Sequence, residues 1–309
     1  MIMKKMFSKV RFKKNLFVWG MLAYTVLHFI IFWFYVNIET IALSFQRVGV
    51  DITDPDTFGK TVWAGLTQYK AVFNNLANSK ETQRTLLNSI GYLPVTLLEL
   101  FMSVTFSYFL YKKMPLAGMF RVIYFLPSII PIVVLTFVYR FVFDPSYGLI
   151  PPILKGMGMN VPNFFGTYPT NQIMVYLYCL WVGLGYNIIL LSGAISRIPI
   201  EVMEYGQLDG ISKSRELFSI VVPLVWPTIT TTVIIACTSV CTVMLQPLMI
   251  TPSDSTTNTI ALTIYNGVLA GEGKLPYLSA FGLCITVVAV PMILLVRKLM
   301  ECAFRDISF

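Results

Sequence analysis

The sequence predicts an all-α polytopic membrane protein with six transmembrane helices and a polar helix-turn-helix between the fourth and the fifth. Of its 309 residues, 56% are hydrophobic and 12% charged, at a mean hydropathy of +0.71. That is more apolar material than one soluble core of this length hides. Apolar runs recur at bilayer length, about 20 residues per crossing. The basic residues behind the net charge of +8 sit at the edges of those runs, where they meet lipid headgroups and set orientation. That placement argues against nucleic acid as a partner. The chain, 1–309, reads as one transmembrane domain with no internal repeat and no separate soluble part.

The first span, 16–45, follows Lys4, Lys5, Lys9, Arg11, Lys13 and Lys14. Such a start is like the basic region of a secretory signal, but the apolar run exceeds a signal core and no small-x-small cleavage site follows. An uncleaved first span is expected. The others fall at roughly 86–111, 118–143, 171–196, 223–249 and 276–298. With the N-terminus inside, the inner segments hold those six basic residues, then Lys112, Lys113 and Arg121, then Arg197, Lys213 and Arg215, then Arg297, Lys298 and Arg305. This majority of the 23 Lys and Arg places both termini in the cytoplasm.

Between the first two spans, Asp51, Asp54, Pro55 and Asp56 precede Trp63, Leu66, Tyr69 and Phe73 at helical intervals. This is either a helix lying flat on the outer interface or a packed loop. The segment from Asp144 to Pro169, with Pro151 and Pro152, is dense in Pro and Gly. It predicts an ordered outer loop or short helices. After the fourth span, Pro199 suits a helix start and Gly210 the position just past its end. Ser212 can cap a second helix, and Pro223 is placed to stop it. Glu201, Glu204, Asp209, Lys213, Arg215 and Glu216 forbid burial of this stretch in lipid without partners. The residues alone leave two readings, a solvated connector or a bent helix pair gripped from outside the membrane.

Glu204-Tyr205-Gly206-Gln-Leu-Asp209-Gly210, followed by Phe218, Ile220 and Pro223, resembles the EAA loop of binding-protein-dependent ABC importer permeases. In that family Glu-Ala-Ala-x-x-Asp-Gly-Ala precedes Phe, Ile and Leu-Pro. Here Tyr205 and Gly206 replace the two alanines, and Val222 replaces the leucine. Gly206 costs about 1 kcal/mol relative to alanine in a helix interior. Trp63 to Tyr69 and Asn88-Ser89 resemble further segments of that family, and Arg121 to Pro127, Asp144 to Ile150 and Ser192 to Pro199 are similar to its carbohydrate branch, the maltose and multiple-sugar type. Ser255 to Leu262 sits where that branch has a Ser/Thr-rich outer loop. Thr251-Pro-Ser-Asp254 departs from its Gly-Gly-Pro.

The resemblance implies a type I ABC importer permease fold in the bacterial cell membrane. It implies a cytoplasmic coupling loop at 197–222, where Glu204, Tyr205, Gly206, Asp209, Gly210 and Phe218, with Pro223 just beyond, meet an ABC ATPase dimer. A second permease subunit and an extracytoplasmic solute-binding protein are the other implied partners. The implied solute is a sugar, an oligosaccharide, with a non-sugar solute as the alternative. The sequence holds no Gly-x-x-x-x-Gly-Lys-Ser/Thr loop, so ATP hydrolysis is expected on a separate subunit, with no cofactor here.

Glu99 is the one carboxylate deep in a span, which makes it a candidate for the substrate pathway. Thr231, Thr238, Thr242 and Gln246 recur on one helical face, for substrate contact or for bonding back to their own helix. Trp181, Tyr186 and Asn187 offer the aromatic and amide chemistry that sugars use, or ordinary packing. Pro127 and Pro131 are expected to kink the third span. His28, the only histidine, is expected to be packed and hydrogen-bonded. No metal cluster or catalytic set is recognisable. An ion-coupled secondary transporter, the less favoured alternative, would need several membrane acids, and only Glu99 fits.

Overall fold

The computed structural model describes residues 2–48, 61–112, 114–252 and 254–303. Asp51, Asp54, Pro55, Asp56, Lys113, Ser253 and Arg305 lie outside the described residues. The chain divides into two compact units, Met1–Asn74 with Ala270–Cys284, and Asn75–Leu269 with Ile285–Phe309.

In the first unit, α1 (Ile2–Phe29) passes through a π turn (Ile30–Phe34) into α2 (Tyr35–Ser44). Lys14–Ser44 is long and apolar enough to cross a membrane, and none of its most apolar stretch is buried within the chain. Two of its polar side chains bond back along the helix, Asn37 Nδ2 to the Trp33 carbonyl at 2.6 Å and Thr40 Oγ1 to that of Val36 at 2.9 Å. This satisfies them without water. His28 is exposed, with its ring 4.7 Å from that of Phe32, so the packed histidine expected from the sequence is not found.

Strands β1 (Gln46–Val48) and β2 (Thr61–Trp63) pair antiparallel, with Gln46 opposite Trp63. Helix α3 (Thr67–Asn78) follows. The expected helical run from Trp63 to Phe73 is therefore split. Trp63 ends a strand and stacks on Phe45 at 5.6 Å, Tyr69 meets the Ser44 hydroxyl at 2.8 Å, and Leu66 and Phe73 remain exposed.

The second unit is built around α4 (Lys80–Tyr111), which starts earlier than its apolar run because Ser79 caps it, accepting the Thr82 N–H. Next come α5 (Ala117–Ile129), α6 (Ile132–Val142), the short α7 (Ile150–Gly156) and α8 (Thr170–Ile195). The third span is broken rather than kinked, since α5 and α6 meet at 107°. A residue before proline is driven out of the helical region, and Ile130, ahead of Pro131, is extended at ψ 134°.

Beyond α8 lie α9 (Ile200–Leu208), α10 (Lys213–Glu216), a π turn (Leu217–Val221), α11 (Val222–Leu224) and α12 (Trp226–Thr242). Helices α13 (Leu245–Ile250) and α14 (Ile260–Leu269) follow, and α15 (Leu275–Ala303), whose first part to Cys284 belongs to the first unit, is the last described element. The fifth span, expected at 223–249, is bent by 79° at Val225 and interrupted again at Val243–Met244. Pro247 has no N–H for the Val243 carbonyl four residues back, and that carbonyl accepts the Thr259 hydroxyl instead, at 2.6 Å. Pro223 lies near the end of the helical run Lys213–Leu224, which stops one residue later and bends at Val225. Helix α14 is a further apolar element, too short for a crossing.

Apolar clusters hold this unit, and two of them are large. One joins Leu100, Val104 and Tyr108 of α4 to Leu191 and Ile195 of α8, with Met203, Leu217 and Val221 closing it. The other gathers Tyr92, Tyr139, Val175 and Tyr178 around Ile250. A polar staple pins 254–260 to α4 and α8. Asn88 Nδ2 bonds the carbonyls of Thr256 at 2.8 Å and Asn258 at 3.0 Å, and Ser89 Oγ accepts the Ile260 N–H at 2.8 Å. Asn171 Nδ2 meets the Asp254 carboxylate and Thr256 Oγ1.

Candidate functional site

The polar segment after α8 is a bent helix pair. Pro199 precedes α9 with ψ 134°, as a helix entry requires. At the other end, Gly210 at φ +68° turns the chain, its N–H bonds the Gln207 carbonyl, and the Ile211 N–H bonds that of Gly206. This is the Schellman pattern, which satisfies two carbonyls left open at a helix end. Ser212 Oγ then accepts the Arg215 N–H and starts α10.

Gly206 is buried, and a Cβ there would lie 2.9 Å from Ile220 Cδ1 and 3.0 Å from Ile211 Cδ1. The missing side chain lets α9 settle onto the returning helix, which offsets the poor helix propensity of glycine. Glu204, Tyr205, Asp209 and Phe218 are all exposed. One face of the pair is thus locked inward, Glu204, Tyr205 and Asp209 remain exposed, and Phe218 lines a groove with Leu97, Phe101 and Val104 of α4.

Glu216 is the exception among the charges of this segment. It is 2% exposed and pairs at 2.5 Å with Lys112, itself 20% exposed, just past the end of α4. The Lys112 ammonium also lies 5.8 Å from the centre of the Tyr108 ring. An unpaired buried charge is strongly destabilising, so this pair fixes the helix pair against α4. Sequence reasoning counted Lys112 only as an orienting charge. The available signal was a basic residue at a span end together with a glutamate in the polar segment that needed a partner.

The second candidate region is a cavity of about 380 Å³. Tyr92, Thr96 and Glu99 of α4 line it, with Tyr178, Cys179 and Gly183 of α8. Both helix breaks open onto it as well, through Pro127, Ser128, Ile130 and Ile132 on one side and Val243 and Gln246 on the other. Non-helical backbone at membrane depth is tolerated where it is buried or lines a cavity. Glu99 is 7% exposed and accepts a hydrogen bond from Asn187 Nδ2 on Oε1. A Cβ at Gly183 would overlap the carboxylate, so glycine is what lets Glu99 lie against α8. Tyr178, 1% exposed, has a hydroxyl with no hydrogen-bond partner among the described residues.

Of the pathway residues expected from the sequence, Glu99 and Gln246 line this cavity, and Asn187 joins it through Glu99. Trp181, Tyr186, Thr238 and Thr242 are not in its lining. Trp181 packs on Tyr139 and Tyr178, at 6.3 Å from each ring, and Tyr186 is exposed. Thr231, Thr238 and Thr242 bond back to the carbonyls of Pro227, Ile235 and Thr238. The four-residue polar face is not continuous, because α12 ends at Thr242 and Gln246 belongs to α13. Sequence reasoning passed over Tyr92, Thr96 and Tyr178. Their signal was hydroxyls placed in apolar spans.

A helical membrane protein with broken spans around a largely apolar cavity that holds a few polar groups is the class the fold defines. The chain belongs to the family of binding-protein-dependent transport system inner membrane components, whose model matches residues 100–302. It is 29% identical over 134 residues to the probable ABC transporter permease protein YurN of Bacillus subtilis, covering 43% of this chain and 46% of YurN. To the multiple sugar-binding transport system permease protein MsmF of Streptococcus mutans it is 27% identical over 218 residues, covering 67% of this chain and 73% of MsmF. The chain thus spans about half the length of the first of these relatives. Its fold is similar to a chain in the crystal structure of a bacterial ABC transporter involved in the import of the acidic polysaccharide alginate. The TM-score is 0.78, with 21% identity, 94% of this chain covered and 96% of the other.

Proposed function

We propose that this chain is the permease subunit of an ATP-driven ABC importer and forms half of the translocation pathway for a sugar, an oligosaccharide. A solute-binding protein delivers the sugar from outside, a second permease completes the pathway, and an ABC ATPase dimer in the cytoplasm drives it. Both termini and the α9–α10 pair lie on the cytoplasmic side, in keeping with the distribution of Lys and Arg. The observation that carries this reading is the helix pair itself, with one face locked by Gly206, Gly210 and the Lys112–Glu216 ion pair and the other offering Glu204 and Asp209. A rigid pair seated in a groove of the ATPase passes rigid-body rotation to the attached spans. Glu204 supplies an ion pair to a basic residue of that groove. The sugar assignment is supported by relatives such as MsmF and by the aromatic and hydroxyl groups around the cavity.

The test is a tagged chain purified from native membranes. A second permease and an ATPase are expected to co-purify and to be lost on deleting residues 201–218. Glu204→Lys is expected to insert normally and to abolish ATP-driven uptake. Normal uptake by that variant, or uptake by the isolated chain under an ion gradient, would overturn the reading.

A further inference from the structure

The cavity between α4, α8 and the two helix breaks has an unbalanced set of polar groups. Among its lining residues Glu99 is the sole ionisable group of carboxylate or amine type, and no Lys, Arg or His is present. Asn187 occupies Oε1 of Glu99, which leaves Oε2 with its acceptor capacity. Tyr178 adds a buried hydroxyl without a partner among the described residues, and Thr96, Ser128 and Gln246 add further polar groups. Its size, about 380 Å³, falls in the range of small-molecule sites, about 300–1,000 Å³.

We infer that this cavity accepts a hydroxyl-rich solute without negative charge and rejects acidic sugars, with Glu99 accepting a sugar hydroxyl and Tyr178 fixing its orientation. The inference rests on the permease reading above and narrows its substrate class. A sugar hydroxyl donates to Oε2 and exchanges a bond to water for a charge-assisted one. A uronate carboxylate brought to the same place finds no Lys, Arg or His among the lining residues described, loses its hydration and faces a second acid. The likeness to a chain of the alginate importer is one of fold, and the cargo proposed here differs from alginate in charge.

The experiment uses the tagged complex with its co-purifying permease and ATPase, reconstituted in nanodiscs without the binding protein. Isothermal titration then measures maltotriose, cellotriose, xylotriose and mannotriose against trigalacturonate and trimannuronate, at up to millimolar concentration. At least one neutral trisaccharide is expected to bind about tenfold more tightly than either uronate, a margin of about 1.4 kcal/mol. Glu99→Gln is expected to weaken that neutral sugar about tenfold and to close the gap, and Tyr178→Phe to weaken it about threefold. A uronate that binds as tightly as the neutral sugars would overturn the inference, as would unchanged preference in both variants or binding of neither class. Absence of the ATPase from the purified complex would be the separate failure of the permease reading, seen before any sugar is added.

Discussion

Glu99 and Glu216 are both buried acids of the second unit, and the protein treats them in opposite ways. Glu216 meets Lys112 at 2.5 Å in a contact that joins α10 to the end of α4. Glu99 has the Asn187 amide as its hydrogen-bond partner and a cavity beside it. A cation neutralises the first acid and commits it to structure. An amide only orients the second, so its remaining oxygen stays available. The comparison separates a carboxylate that holds helices together from one that is kept ready for an incoming group.

Breaking the first pair has the larger consequence. Lys112→Ala strands Glu216 without its partner and is expected to cost about 3 kcal/mol, the low end for a broken buried pair because the lysine is partly exposed. A lowered unfolding temperature in detergent would show it, and the exchange Lys112→Glu with Glu216→Lys should restore part of the loss. Next comes Gly183→Ala, which drives a methyl group into the Glu99 carboxylate and is expected to cost about 1–3 kcal/mol by overpacking. Glu99→Gln keeps the shape and the bond to Asn187. It should move stability by about 1 kcal/mol at most while lowering ATP-driven uptake, and a thermal loss as large as that of Lys112→Ala would make Glu99 another structural acid. The smallest effect belongs to Thr238→Val, whose hydroxyl bonds its own helix at Ile235. Stability is expected within about 0.5 kcal/mol and uptake unchanged.

What could be read from the sequence were features set by neighbours along the chain. Gly210 and Ser212 follow local rules of helix capping, and the structure uses each as those rules require. The broad helical class follows from apolar runs at bilayer length. The breaks were not legible, because proline alone does not say whether a helix bends or stops. At Val243 the outcome depends on Thr259, sixteen residues on. That break also explains why a periodic reading joined Thr242 to Gln246, although only the latter reaches the cavity. Asn187 was noticed for its chemistry, but its partner Glu99 lies 88 residues away, and only packing of α4 along α8 unites them.

The π turn at Leu217–Val221 sets a phase. An α-helix advances about 100° per residue, and a π turn accommodates one residue more than an α turn. Everything before Leu217 is therefore rotated by about 100° relative to an unbroken helix running back from Leu224. That offset aims Glu216 at Lys112 and leaves Lys213 and Arg215 exposed. Deleting a single residue between 217 and 221 would leave the segment helical, yet carry the glutamate around the helix and away from its lysine. The register of the chain, as much as its side chains, fixes how the polar pair is keyed to the bundle.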